Sequence, residues 1–194
     1  MDIHFMKQIS EKPSPDQVMR FFTRELFIRF NSPDDEVADR AYEEWEVALY
    51  QYQEHLTKIR AEMPPQLRKI TELCFHDAEV LALREEEFLP LPLRRWPCSF
   101  ATVINLNQDR TIWSLIYLQY EQIRNYPGTS DWPFSKSRKR WLYDEFDQHN
   151  SKEIFLHRIL FGDGSILEIP FISVMASNFS LNELSGNNYV EKVA

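Results

Sequence analysis

Glycine is scarce in this chain, with only four among 194 residues. A loop that cradles phosphate needs closely spaced glycines, because backbone amides must approach the ligand. The one Gly-x-Gly is Gly162-Asp163-Gly164, which lies between two apolar runs and predicts a hairpin turn. A nucleotide-binding loop is therefore excluded, and so is the glycine-flanked serine of the α/β-hydrolases.

Two further absences narrow the expected class. No run of about 18 apolar residues occurs, so we expect no membrane-spanning helix. The first seven residues lack the basic start and apolar core of a secretion signal. Cys74 and Cys98 are the only cysteines, and their apolar neighbours predict buried thiols in a reducing compartment. We therefore expect a cytoplasmic protein that uses neither a metal nor another cofactor.

Acidic residues outnumber basic ones and give a formal net charge of -8. This charge repels phosphates and argues against nucleic acid as a partner. Many of the acids lie near the start of a predicted long helix, where Asp39, Glu43 and Glu46 share one face and Glu44 adjoins them. That face is either simply solvated or a docking surface for a basic protein. These four residues are the candidate partner-binding site.

The clearest positive pattern is a helical stripe. Ser32 and the acids after it predict a helix start, and the helix then continues to about residue 63. Apolar residues at three- and four-residue spacing lie on one of its faces: Tyr42, Trp45, Leu49, Tyr52, Leu56, Ile59 and Met63. The stripe either packs on the sheet of its own chain or joins two copies in a homodimer, and its bulky aromatics favour the first.

Shorter helices are predicted at residues 15–29, where the phenylalanines would also suit a strand, and after Pro64-Pro65. The second has Leu67, Ile70, Leu73 and Cys74 turned inward. Strands are then expected over residues 79–84, whose Ala, Leu and Glu would also suit a helix, and over residues 99–106, 111–121, 141–147, 154–161 and 165–174. A proline-rich crossing at 88–97 precedes the second strand, and a turn at 107–110 precedes the third.

The third strand is apolar on both faces, which is typical of the middle of a sheet. The last three form an antiparallel meander, in which a two-residue turn at Asp163-Gly164 would place Arg158 opposite Ile169. The predicted fold class is α+β: helices in residues 1–75, including one long helix, pack on a mainly antiparallel sheet in residues 76–175 of the same domain. Residues 176–194 are expected to form a polar tail.

Histidines and carboxylates offer a second kind of candidate site. His76 and Asp77 lie where helix gives way to other structure, and His157 lies in the meander near several acids. Such groups could perform acid–base chemistry or bind a metal. Ordinary structural roles compete with this: a turn at Asp77, with the adjacent His76 pointing the opposite way, and cross-strand pairs in the meander. Those pairs are predicted to be Asp144 with Arg158 and Glu145 with His157.

Two main functions fit the sequence, and a structural homodimer joined through the long helix is a third possibility. The first is a non-enzymatic protein-binding module whose acidic helical surface meets a basic partner, as an antitoxin or immunity-type inhibitor would. The alternative is a small hydrolase-type enzyme with its site at the junction of helix and sheet, using His76, Asp77 or His157.

Overall fold

A computed structural model describes residues 18–88, 96–105, 111–137, 140–149 and 151–180. The fold is α+β, as predicted. Its helices are α1 (Arg24–Phe30), α2 (Asp35–Ile59) and α3 (Pro65–Ile70). Its strands are β1 (Ala78–Phe88), β2 (Trp96–Asn105), β3 (Thr111–Gln119), β4 (Arg124–Tyr126), β5 (Arg140–Gln148), β6 (Phe155–Phe161) and β7 (Ile166–Ser180). None of these helices has the length and apolar character needed to span a bilayer.

Some predicted features lie outside the described residues. They are the start of the helix predicted at 15–29, most of the proline-rich crossing, the turn at 107–110, and the part of the predicted tail beyond residue 180. The side chain of Cys98 also lies outside the described part of the chain.

Capping side chains fix where the first two helices begin. The Thr23 hydroxyl accepts a backbone N–H of the first turn of α1 at 3.2 Å, so α1 begins one residue later. The prediction of a helix over residues 15–29 is therefore wrong for residues 18–22, which are not helical. Asp34, and not the predicted Ser32, caps α2 by accepting two backbone N–H groups of its first turn.

A buried carboxylate holds the N-terminal segment (residues 18–22) against the sheet. Glu145 of β5 is 1% exposed. Its Oε1 accepts the backbone N–H groups of Phe21 at 2.6 Å and Phe22 at 2.7 Å, and its Oε2 accepts that of Arg20 at 2.9 Å. Because a carboxylate is the acceptor, each bond is stronger than one between neutral groups. The prediction that Glu145 pairs with His157 is wrong.

The short helix after Pro64-Pro65 forms as predicted. Leu67 and Ile70 of α3 are buried, at 1% and 2% exposure. Cys74 is exposed, which contradicts the prediction of a buried thiol. The helix ends at Ile70, so its periodicity no longer determines which way residue 74 faces.

The strands pair antiparallel throughout and form a sheet that closes on itself. Their order is β3-β2-β1-β5-β6-β7-β4, and β3 also pairs with β7. Closure depends on the length of β7, whose residues 166–171 pair with β6 and whose residues 171–180 pair with β3. The prediction that β3 is an interior strand is confirmed, since it lies between β2 and β7. β7 continues to Ser180 and so extends into the segment predicted as a tail.

The hairpin between β6 and β7 forms where predicted, but its register differs by one residue. Phe161 N–H donates to the carbonyl of Ser165 at 2.9 Å, so the turn encloses three residues and not two. Arg158 consequently lies opposite Glu168, not opposite Ile169. This one-residue difference changes which side chains of β7 share a face with those of β6.

Two apolar clusters stabilise the fold. The inner cluster fills the closed sheet and includes α3 residues together with Ile59 and Met63 from the end of α2 and the turn after it. The outer cluster lies between the other face of β5 to β7 and the helices α1 and α2, with the N-terminal segment included. The long helix therefore packs on the sheet of its own chain, and this arrangement positions everything described below.

The buried face of α2 is rotated from the predicted stripe over its first half. Ala41 and Ala48 are buried, whereas Tyr42 and Leu49 of the stripe are 53% and 45% exposed. Small side chains let the helix approach the neighbouring elements closely, so the alanines face inward. From Tyr52 onward the stripe is largely buried, as predicted, with Tyr52, Ile59 and Met63 at or below 8% exposure.

Candidate functional site

The exposed side of α2 carries all four predicted partner-binding residues. Asp39, Glu43, Glu44 and Glu46 are each exposed. At 100° per residue, Asp39, Glu43 and Glu46 lie opposite the buried alanines of the same helix, so they face away from the protein. The geometry brings these three carboxylates onto one continuous surface, whereas Glu44 lies on the side of α2 that faces Arg29 of α1.

The four acids differ in what they already contact. Glu44 forms a double hydrogen bond with Arg29 of α1, with Nη1 to Oε1 at 2.8 Å. This hydrogen bond lowers the pKa of Glu44 and raises that of Arg29. Glu46 accepts the hydroxyl of Tyr42, which raises the pKa of that tyrosine. Within the described residues Asp39 and Glu43 form no ion pair, so their charges, with that of Glu46, remain available to a partner.

Large apolar side chains lie among these acids, and two of them, Val47 and Tyr50, were not predicted from the sequence. The exposed fractions are 53% for Tyr42, 55% for Val47, 45% for Leu49 and 66% for Tyr50. Val47 and Tyr50 fall outside the stripe, and no other periodic signal marks them. We call the combined region the α2 surface, and it consists of Asp39, Tyr42, Glu43, Glu46, Val47, Leu49 and Tyr50.

A second feature, the junction groove, lies where α2 meets residues 71–76 and strand β5. It has a volume of about 490 Å³. Aromatic and aliphatic side chains form most of its lining, and its chemically active groups are Glu72, Cys74, His76, Tyr143 and Asp144. The groove adjoins the α2 surface, because Leu49 belongs to both.

A chain of hydrogen bonds runs from the inner core to this groove. Asp144 and His157 lie on the face of β5 and β6 that the closed sheet encloses, with His157 directly opposite Phe146. His157 Nε2 lies 3.0 Å from Asp144 Oδ2, and the Tyr117 hydroxyl lies 2.8 Å from His157 Nδ1. The carboxylate accepts from Nε2–H, so Nδ1 accepts the hydroxyl of Tyr117. Burial, and then the negative charge of Asp144, raise the pKa of Tyr117 well above its usual value.

The residues of this hydrogen-bond chain differ in their access to solvent. The side chain of Asp144 is 17% exposed, and its Oδ1 accepts Trp141 Nε1–H at 3.0 Å. His157 is fully buried, and each of its ring nitrogens already has a partner. Only Asp144 can therefore meet a molecule in the groove directly.

The predicted pair of Asp144 with Arg158 is also wrong. The register of β5 against β6 differs from the predicted one, since Asp144 lies opposite Ile159 and Phe146 lies opposite His157. Arg158 instead donates to Asp147 Oδ2 at 3.0 Å and to Glu168 Oε2 at 2.7 Å. These contacts hold β5, β6 and β7 together.

His76 and Asp77 meet despite being adjacent in sequence. Asp77 has φ of 61°, a conformation uncommon for a residue other than glycine. This backbone places Asp77 Oδ2 3.1 Å from His76 Nδ1, where the sequence predicted opposite directions. The His76 ring contacts that of Tyr143, with centroids 4.6 Å apart, and lines the junction groove. Asp77 lines a different cavity, on the side of Arg140.

A metal centre finds no support in the described residues, among which no three His, Cys, Asp or Glu side chains are grouped to hold an ion. Comparison with models of known protein families and with curated protein sequences gives no match. The two features that remain are the α2 surface and the junction groove beside it.

Proposed function

We propose that this chain is a non-enzymatic cytoplasmic protein-binding module whose α2 surface docks a basic protein. The observation that supports this most is the mixture on one helix face of exposed apolar side chains with uncompensated carboxylates. Tyrosine, present here as Tyr42 and Tyr50, is among the residues that supply most of the binding energy at protein interfaces, while charges at the rim select the partner and speed association. An inhibitor of the antitoxin or immunity type needs a surface of this kind.

A second copy of the chain is a poorer occupant of the same surface. In a two-fold symmetric dimer the same patch meets itself, so Asp39, Glu43 and Glu46 would face their own copies. Like charges brought together without counter-ions oppose association. We therefore expect the mass of a monomer in solution, measured by light scattering, and a dimer would favour the homodimer hypothesis instead.

Charge reversal tests the proposal. The variant Asp39→Lys/Glu43→Lys/Glu46→Lys should capture no specific partner from the host's lysate, while its urea unfolding stays within about 1 kcal/mol of wild type. The wild-type protein should retain a defined partner, and that partner should be released as salt is raised.

A matched control separates local charge from net charge. Glu62→Lys/Glu79→Lys/Glu153→Lys makes the same change in charge at exposed positions outside the α2 surface. This variant should capture the partner as wild type does. Equal capture by all three proteins would show that the α2 surface is not the docking site.

The hydrolase alternative is favoured by one observation: His76 and Asp144 line the same groove at the helix–sheet junction. The hydrolase hypothesis ranks second because His157 is fully buried and does not line that groove. It predicts hydrolysis of a simple ester or phosphoester, lost in His76→Asn and retained in the α2 charge-reversal variant. No turnover above the uncatalysed rate would count against it.

A further inference from the structure

We infer that the junction groove receives a guanidinium side chain, an arginine of the basic partner. This inference rests on the proposed function and names the group by which the partner would be anchored. The groove adjoins the α2 surface through Leu49, so a protein that covers α2 reaches the mouth of the groove. An interface commonly places one such anchor in a pocket beside its flatter contacts.

Aromatic rings form one wall of the groove. The ring centroids of Trp45 and Tyr143 are 4.3 Å apart, and those of Phe22 and Trp45 are 4.9 Å apart. Burial raises the pKa of Tyr143 to about 12, so its phenol stays neutral at physiological pH. Neutral aromatic faces attract cations through the ring quadrupole, and the planar guanidinium stacks on them as well.

A fixed carboxylate supplies the opposite charge. Trp141 and His157 each donate to one oxygen of Asp144, so the group is held in place before any ligand arrives. Each oxygen keeps acceptor capacity beyond its present bond. In a site largely shielded from water, the charge of such a carboxylate acts more strongly than it would on the open surface.

The remaining lining residues favour a cation over other ligands. Among the described residues that line the groove there is no lysine or arginine. The carboxylate of Glu72, which also lines the groove, is paired with Arg60, so Asp144 supplies the charge for a ligand. An anion would meet Asp144 without a counter-charge, and a purely apolar ligand would cover that carboxylate without pairing it. A guanidinium can donate charge-assisted hydrogen bonds to Asp144, and the aromatic side chains that line the same groove suit its planar face.

The inference is tested with small probes on the full chain. Capped arginine is titrated into isotope-labelled protein, and the indole N–H signals of Trp45 and Trp141 are followed by NMR. Saturable shifts of both signals are expected with capped arginine. Capped citrulline, which has the same shape without the charge, should bind at least about tenfold more weakly, the loss expected when a charge-assisted pair is removed. Equal binding of the two probes, or no saturable shift with either, would overturn the inference.

Two variants and a chemical reporter complete the test. Asp144→Asn and Trp45→Leu should each weaken arginine binding about tenfold, and Trp45→Leu leaves the hydrogen bonds of Asp144 untouched. Cys74 lines the groove and is exposed, so capped arginine should slow its alkylation in the wild-type protein. Unchanged alkylation at saturating arginine would place the probe elsewhere.

Failure of this inference can be told apart from failure of the proposed function. If capped arginine does not bind but charge reversal on α2 still abolishes capture, the partner docks without an anchor in the groove. If capped arginine binds but charge reversal leaves capture unchanged, the groove takes a cation and the α2 surface is not the docking site.

Discussion

Replacing Glu145 with alanine should lower the free energy of unfolding by about 3 kcal/mol, because buried backbone donors lose their acceptor. Phe21 and Phe22 are buried and donate to the same carboxylate oxygen, so both N–H groups would remain unpaired. Urea unfolding followed by tryptophan fluorescence measures the change. Hydrogen exchange should also quicken at the amides of residues 20–22 before the rest of the chain opens.

Glu145→Gln is the informative companion variant. It keeps the size of the side chain but presents an amide NH₂ in place of one carboxylate oxygen, so at least one of the three N–H donors meets a donor. We expect Glu145→Gln to lower the free energy of unfolding, but by less than Glu145→Ala does. If Glu145→Ala unfolds like wild type, the carboxylate does not hold the N-terminal segment.

The pH dependence of stability gives a separate test of the same residue. Burial raises the pKa of Glu145, and the three backbone N–H donors only partly oppose that effect. The native carboxyl therefore takes up its proton at a higher pH than it does in the unfolded chain. As the pH falls through the native pKa, wild type should gain stability relative to Glu145→Gln, which cannot titrate there. The opposite trend would mean that the hydrogen bonds outweigh burial.

Removal of Arg158 should have a comparably large effect. Its side chain is 13% exposed and pairs with Glu168, which is 6% exposed, and with Asp147. Arg158→Met keeps a side chain of similar size but leaves the shielded carboxylates without the positive charge of Arg158. Removing one partner of a buried ion pair lowers the free energy of unfolding by about 3–5 kcal/mol. Arg124 still contacts Glu168 at 2.9 Å, so we expect the lower part of that range.

Arg60→Met is the matched control for this prediction. It breaks the ion pair with Glu72, whose partners are 51% and 58% exposed, so it should cost less than about 1 kcal/mol. Urea unfolding of both variants at the same pH and salt makes the comparison. Equal costs for the two would show that burial does not strengthen the contacts of Arg158.

The helix content was predictable because its signals are local. The acids at its start and apolar residues three and four positions apart predicted α2, and the two prolines predicted the start of α3. The orientation of α2 was harder to predict, because it depends on Ala41 and Ala48. Alanine is small and contributes little to a pattern of large apolar residues. The spacing of Ala41, Ala48 and Tyr52, seven and then four residues, places them on one helix face and was the signal available in the sequence. The exposure of Val47 and Tyr50 follows from that rotation.

The contacts between strands could not be read from the sequence to the same degree. Each cross-strand partner depends on the length of the connecting turn, and an error of one to three residues changes every pair. Asp144 was therefore paired with Arg158 in the prediction, whereas the structure pairs it with His157. The contact of His76 with Asp77 depends on the positive φ of Asp77, which no local sequence pattern predicted.

The closure of the sheet is a long-range property. β7 pairs with β6 first and with β3 afterwards, and its last residues look polar in the sequence. Alternation alone does not show that one strand serves two partners. A site at the junction of helix and sheet was one hypothesis from the sequence. The full lining of the junction groove could not be predicted, because α2, residues 71–76 and β5 meet only after the sheet has formed.

Carboxylate footprinting of the captured complex tests the central claim most directly. Carbodiimide labelling is carried out on the protein alone and with its partner bound, and each modified site is read by mass spectrometry. We expect Asp39, Glu43 and Glu46 to lose most of their labelling in the complex, while Glu79 and Glu153 keep theirs. A partner that leaves the α2 carboxylates labelled and protects another region would contradict the assignment of α2 as the docking surface.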